Sequence, residues 1–344
     1  MAILRSHGYG IELDREDWRE NAAWAVSSTV INYEAGPYGL RCLRARMPSP
    51  QNALLTRMPT DLSSLTMSFW WRYEGTLGTN SGTRHMAMVG PDDSQLSFAL
   101  ANNTTPRIWL FSGATLEVEE QMALKAVPFQ EGRWYWASWA VNVVNDDDVE
   151  TKLHINGVEI YDGLMTNPFA SGDGIRWAGL FPTFGGTAGT TRFFSLSTLT
   201  FEDVFTPRLK PLFAQVLRPE TQGFHDEWTP AAAVADVNNA VPSGNVIEGV
   251  EGERTTYEVD NLPLVPGSKD ILSIFAGGFG STVGDEVRGY VRRGSSDGEG
   301  AAFADLESTP RFRHAPMPVD PITAAAWDPD DLATTEFGLI ARTP

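Results

Sequence analysis

The sequence predicts an all-β protein made of two successive domains, and three features of it lead there. Short segments recur in which apolar and polar residues alternate with a period of two, the spacing of a strand buried on one side. Between them lie clusters such as GPDD, NNTTP, NDDD and FGGTAG, which supply the residues that tight turns demand. Eleven Trp and eighteen Phe also stand beside thirty-two Gly and twenty-two Pro, a mixture suited to strands joined by turns and poor for helices.

The clearest strand is LTMSFWWRY at 65–73. Alternation puts Leu65, Met67, Phe69, Trp71 and Tyr73 on one face and Thr66, Ser68, Trp70 and Arg72 on the other. Comparable runs occupy 84–89, 95–101, 106–112, 133–144, 149–161, 175–181 and 190–201. Inside the 149–161 run, Asn156-Gly157 is the signature of a two-residue turn whose central residues both need positive φ, so this run folds back as a hairpin. Near the N-terminus, DREDWRENAAW has the pattern of one or two helical turns.

A boundary follows the jelly of aromatic strands. Pro207 and Pro211 interrupt EDVFTPRLKPLF, and nine of the eleven Trp precede it. The expected organisation is a first domain over 1–205, a linker over 206–213 and a second domain over 214–344, a division that the length of 344 residues allows. Strands are expected in the second domain at 213–218, 246–250, 255–259, 271–276, 286–293 and 337–342. SSDGEG at 295–300 reads as an exposed loop. FAGGFGSTVGDE at 275–286 lacks the GxGxxG spacing of a phosphate loop and reads as a hairpin turn or loop. A short helix is expected near the C-terminus: Asp328 can cap it, Pro329 suits its first position, and Asp330 and Asp331 face the positive end of its dipole. Gly338 is expected to end that helix before a strand at 339–342.

Charge and cysteine content exclude whole classes of function. Lys and Arg number 26 against 44 Asp and Glu, and the net charge of −18 repels nucleic acid and anionic lipid. Cys42 is the only cysteine, so no disulfide can form within the chain; it is expected to be a small buried hydrophobe. No segment has the length and apolarity of a signal peptide or a membrane span, which leads to the expectation of a soluble chain.

The stretches GLRCLRARM, LTMSFWWRY, GRWYWASWAVNV, VETKLHINGVEI and TTRFFSLSTLTFED make residues 8–203 resemble the laminin-G or concanavalin-A-like jelly rolls found in virion proteins of tailed bacteriophages. Such domains often carry an Asp-Asp pair in their last strand, where this sequence has Ser195, Leu196 and Ser197. VLRPETQGFHDEWTP at 216–230, ERTTYEV at 253–259 and DPITAAAWDPDDLATTEFGLIA at 320–341 make the second domain similar to a C-terminal module of phage structural proteins. The resemblance implies a concanavalin-A-like sandwich followed by a smaller, mostly-β domain. It also implies a component of a phage particle's tail, neck or head surface, made in the host cytoplasm and partnered by other virion proteins and by copies of itself.

His154 lies between Leu153 and Ile155, so it is expected to face solvent with Lys152 and Glu150 on an ordinary hairpin. Asp146, Asp147, Asp148 and Glu150 gather hard oxygen ligands that could hold calcium, but without the Asp-x-Asp-x-Asp-Gly spacing; a solvated turn explains them as well. In LEVEEQM, strand spacing puts Glu117 and Glu119 on one face with Gln121 beyond, the arrangement of paired carboxylates in retaining glycoside hydrolysis. An exposed edge strand gives the same pattern. Trp70, Trp134 and Trp136 alternate with large core residues and could stack on a sugar ring, or mark a covered interface. From this follow the expectations of a structural particle component that is not an enzyme and needs no cofactor beyond a possible calcium ion. The alternatives are a glycan-binding adhesin and a depolymerase acting through Glu117 and Glu119.

Overall fold

The computed structural model describes residues 3–7, 31–37, 41–47, 54–75, 84–92, 94–102, 106–113, 120–123, 129–170, 172–183, 192–213, 219–229, 248–259, 271, 274–280, 286–302 and 311–343. The chain divides between residues 215 and 216 into two compact units. The DREDWRENAAW segment, read above as helical turns, lies outside the described residues.

The first unit holds β1 (Ile3–His7), β2 (Ile31–Ala35), β3 (Arg41–Met47), β4 (Leu54–Leu62), β5 (Ser64–Glu74), β6 (Arg84–Val89), β7 (Gln95–Asn102), β8 (Pro106–Gly113), β9 (Glu120–Ala123), β10 (Tyr135–Val143), β11 (Asp148–Ile155), β12 (Val158–Thr166), β13 (Ile175–Thr183) and β14 (Arg192–Glu202). They form two antiparallel sheets packed as a jelly-roll sandwich. Among the described residues one sheet runs β12-β11-β10-β5-β14-β3-β2, with β1 paired to β14, and the other runs β4-β13-β6-β7-β8-β9. The core between them is aromatic. Trp71 is fully buried and packs against Phe98, Phe129, Tyr135 and Phe194, with centroids 5.0–6.1 Å apart. Leu65, Met67 and Phe69 from β5, Trp139 and Val141 from β10, and Leu153 from β11 join the same cluster, as their alternation requires.

The hairpin between β11 and β12 turns at Asn156 and Gly157, with φ of 50° and 79°. Positive φ at both positions is the type I′ requirement that only residues such as these meet cheaply. A bulge in β14 carries the less ordinary feature: Thr198, β-branched and buried, sits at φ 48° between residues that pair with Trp70 and Phe69 of β5.

The second unit holds β15 (Pro219–Asp226), β16 (Arg254–Val259), β17 (Ile274–Gly280), β18 (Glu286–Arg293), β19 (Ser296–Ala302), β20 (Arg311–Met317) and β21 (Thr335–Arg342). One sheet runs β15-β16-β21-β18-β19, and β17 pairs with β20. One face of the larger sheet contributes Val291 to a core with Met317, Trp327 and Leu332, while Phe337 packs against it and Trp327 Nε1 donates to the Met317 carbonyl at 2.8 Å.

SSDGEG, the glycine-rich 275–280 and the role of Gly338 depart from expectation, while the short C-terminal helix capped by Asp328 stands. SSDGEG is not a loop: Ser296–Ala302 is a strand hydrogen-bonded to β18 through its backbone, and its polar composition is that of a sheet edge needing no apolar face. The glycine-rich 275–280 likewise belongs to strand β17. The C-terminal helix is a 3₁₀ turn over Pro329–Thr334, capped by the Asp328 carboxylate accepting from the Asp330 N–H. It ends at Thr334, not at Gly338, which lies inside β21 with an imagined Cβ 1.8 Å from the Thr255 carbonyl oxygen. The strand expected at 213–218 falls, apart from residue 213, outside the described residues, and the first described strand of this unit is β15.

Trp71→Ala should lower the unfolding free energy of the first unit by about 3–5 kcal/mol, read from the denaturant midpoint. Gly338→Ala should cost the second unit roughly 1–3 kcal/mol, because strand backbone rather than a movable side chain stands in the way.

Candidate functional site

The site residues expected from the sequence are placed differently from one another. Trp70 and Trp136 lie side by side on the outer face of the eight-stranded sheet, paired in register with ring centroids 5.7 Å apart. They are 8% and 1% exposed, because residues 204–213 of the same chain run over them, so neither offers a free face to a sugar here. Trp134 is half-buried at the margin, with the Arg72 guanidinium 5.0 Å above its ring. Asp146 and Asp147 are exposed, and Asn145 organises their turn by accepting from the Asp147 and Asp148 N–H groups at 2.7 and 2.8 Å. Glu150 is drawn to Lys152 at 3.5 Å. Among the described residues no three His, Cys, Asp or Glu side chains come together as a metal site. Glu117 and Glu119 lie outside the described residues; β9 begins at Glu120 and is an edge strand beside β8. His154, expected in solvent, has a side chain only 12% exposed, on the outer face opposite Ser138 and 4.0 Å from Glu159.

One concave site among the described residues gathers several charged side chains and a tyrosine hydroxyl that apolar alternation does not mark. It lies in the second unit, a cleft of about 640 Å³ on the face of the β15-β16-β21-β18-β19 sheet opposite its core. Arg254 comes from β16, Ile340 and Arg342 from β21, Tyr290 from β18, and Asp297 and Glu299 from β19. Strand geometry assembles them: Arg254 pairs with Ile340, Tyr290 with Glu299, and alternation keeps Tyr290 and Arg292 on one face while Val291 enters the core.

Each charge in the cleft is fixed by another. Arg342 forms a two-pronged pair with Glu299. Arg254 reaches Glu227 through its Nη2 at 3.1 Å and Asp297 through Nη1 at 3.6 Å, and Nη1 donates to the Tyr290 hydroxyl at 3.3 Å. Behind Glu227 stands His225, buried, its Nδ1 3.1 Å from the carboxylate.

These contacts displace the acidities of the cleft residues. The Arg342 hydrogen bonds hold Glu299 below the ordinary carboxylate range against the opposing effect of burial, and Glu299 in turn raises Arg342. Burial pushes Glu227 up, but the backbone and guanidinium of Arg254 and the His225 ring outweigh it, leaving a net lowering. Burial raises Tyr290, with Asp297 adding to the effect and Arg254 opposing it, so its hydroxyl keeps its proton at neutral pH. Preset donors, preset acceptors and one hydroxyl around an open cleft can grip a ligand dense in hydroxyl groups.

Apolar alternation does not single out these residues in ERTTYEV and EVRGYVRR, and SSDGEG, expected as an exposed loop, has no apolar position at all. Their polar positions carry an alternation of their own, with Arg288, Tyr290 and Arg292 in one strand, and that was the available signal.

No family model and no curated protein sequence matches the chain. Among solved structures it is similar to polysaccharide-cleaving enzymes of β-sandwich fold. They include an endo-β-1,4-glucuronan lyase from the fungus Trichoderma reesei, with 11% identity and a TM-score of 0.36 over 55% of this chain and 94% of that one. The catalytic domain of a glycoside hydrolase family 131 protein from Coprinopsis cinerea has 14% identity and a TM-score of 0.38 over 60% and 93%. A Bacillus licheniformis β-glucanase has 10% identity and a TM-score of 0.35 over 54% and 91%. At such values the likeness is one of fold. The expectation of a chain that is not an enzyme is withdrawn, since the structures sharing the fold are themselves glycan lyases and hydrolases.

The lowered carboxylates give the second unit an acid-sensitive stability. Between their folded values and the ordinary glutamate value of about 4.3, the unfolded chain binds more protons, so acid favours unfolding. The stabilisation is complete above that ordinary value and is lost as pH falls through the folded values. Glu299→Gln should flatten this acid limb, read as thermal midpoints from neutral pH down to about pH 3.

Proposed function

We propose that this protein recognises a glycan, with the cleft of the second unit as the contact site. The observation that carries the reading is the convergence of Arg254, Arg342, Asp297, Glu299 and the Tyr290 hydroxyl on one open cleft. Saccharide hydroxyls both donate and accept, and they need partners of both kinds at fixed positions. The cleft groups are already held by one another, so little side-chain freedom is lost when a ligand replaces solvent at their remaining lone pairs and N–H groups. The lining is charge-balanced, Asp297 and Glu299 against Arg254 and Arg342, and this favours a neutral sugar over a densely anionic one. The phage-type stations VLRPETQGFHDEWTP, ERTTYEV and DPITAAAWDPDDLATTEFGLIA support a setting on a bacteriophage particle, where such recognition would serve attachment to a host surface.

The test is a glycan array on the full chain, followed by calorimetric titration of the best ligand. Asp297→Asn and Arg342→Gln should each weaken binding about tenfold or more while leaving the fold unchanged by circular dichroism. Binding to no arrayed glycan, or binding indifferent to both substitutions, would overturn the proposal.

A further inference from the structure

Beside the cleft of the second unit an aromatic ring is held out into solvent by a structure of its own. Phe224, on β15, is 67% exposed. A lone exposed apolar side chain is ordinary. The way this one is held is not, because its presentation is built by a bulge. The pairing of β15 with β16 passes from Gln222 opposite Tyr257 to Asp226 opposite Thr255, so Gly223, Phe224 and His225 all stand against the single Thr256. Extra residues in one strand of a pair bend it and re-aim its side chains.

The bend is fixed by groups on the cleft face of the sheet. The Glu336 carboxylate of β21 accepts from the Phe224 N–H at 2.8 Å, from Thr256 Oγ1 at 2.7 Å and from Arg292 Nη1 at 2.8 Å. The His225 N–H donates to Thr256 Oγ1 at 3.0 Å, and Gln222 Nε2 donates to the carbonyls of His225 and Thr256, each at 3.0 Å. A Cβ on Gly223 would sit 2.5 Å from Glu336 Oε2, so glycine is what lets the carboxylate reach the bulge. The outcome is a propped ring, with the Arg292 guanidinium carbon 3.8 Å from the Phe224 centroid.

The same residues join the ring to the cleft. Arg292 Nε is 4.0 Å from Asp297, which lines the cleft. His225 links the two rings, its centroid 5.0 Å from that of Phe224 and 5.7 Å from that of Tyr290. A surface for another protein is a contiguous apolar patch, whereas this ring is set among the charged groups of Arg292, Glu336 and Asp297. A pyranose has the matching duality: its C–H groups can lie against the electron-rich face of a phenyl ring while its hydroxyls take donors and acceptors alongside.

We infer that Phe224 is an aromatic platform of the cleft, on which one sugar unit stacks while the next unit of the same chain meets Tyr290 and Asp297. The inference rests on the glycan reading of the cleft and adds a ligand class to it, neutral oligosaccharides of two or more pyranose units. Because Arg292 and Glu336 already hold the ring, little freedom is lost when a sugar settles on it.

The probe is an array of mono- to hexasaccharides of glucose, galactose and mannose, with affinities for the full chain then measured by calorimetry. Disaccharides and longer chains should bind more tightly than monosaccharides. Phe224→Ala and Phe224→Leu should each weaken oligosaccharide binding about tenfold and shrink that step, while Phe224→Tyr keeps it. Thermal midpoints of all three should match the unmodified chain, since the ring is exposed, and Phe224→Leu decides if Phe224→Ala proves unstable. Affinity unchanged in Phe224→Leu, while Arg342→Gln still weakens it, would overturn the platform and leave the glycan reading standing. No binding by the unmodified chain would remove both. Self-association in sedimentation that disappears in Phe224→Leu would assign the ring to a protein contact and equally overturn the inference.

Discussion

The first unit depends on one demand: strand β5 must be buried on both faces. Trp70 and Trp71 are neighbours in sequence, so a pleated backbone sends their indoles in opposite directions. Trp71 finds its cover in the second sheet, among Phe98, Phe129, Tyr135 and Phe194. Trp70 has no second sheet on its side, and an exposed ring pair with Trp136 would be an adhesive patch. The segment from Val204 to Phe213 meets that need, which is why a stretch with the composition of a linker is laid across the sheet instead.

The second unit meets the same geometric problem with charge. Its sheet puts Val291 and Phe337 into a core on one face, and the other face carries guanidiniums and carboxylates in facing rows. Gly338 opposes Tyr290 across the β18–β21 pair, so the tyrosine ring has no side chain to contend with at that position. The cleft is thus a property of the sheet's register: shifting β19 by one residue against β18 would turn Asp297 and Glu299 away from Tyr290 and Arg254.

How much of this could be read from the sequence follows from what alternation reports. In the first unit core-facing residues are large and apolar, so β5, β6, β7, β8, β10 and the hairpin at Asn156-Gly157 stand where the pattern put them, within a residue or two. In the second unit, β15, β19 and β20 have little apolar contrast and are held by neighbouring backbone, a tertiary contribution that local pattern does not carry. Gly338 misled in the same way, since a glycine that stops a helix and one that lets two strands approach look identical in a sequence. The cleft was hidden because its parts come from four strands spread between residues 254 and 342. The occlusion of Trp70 and Trp136 was hidden because it depends on where the segment after the last strand turns.

Among the described residues, strand β19, SDGEGAA, is the last of its sheet. Such an edge is a template on which another chain can add a strand. Here the edge bears Asp297 and Glu299, each held by a guanidinium, among glycines and small residues, so a second copy approaching edge to edge finds little oily surface to bury. Molecules crowded at high local concentration are thereby discouraged from zipping into fibrils along this border, and the open cleft beside it stays accessible.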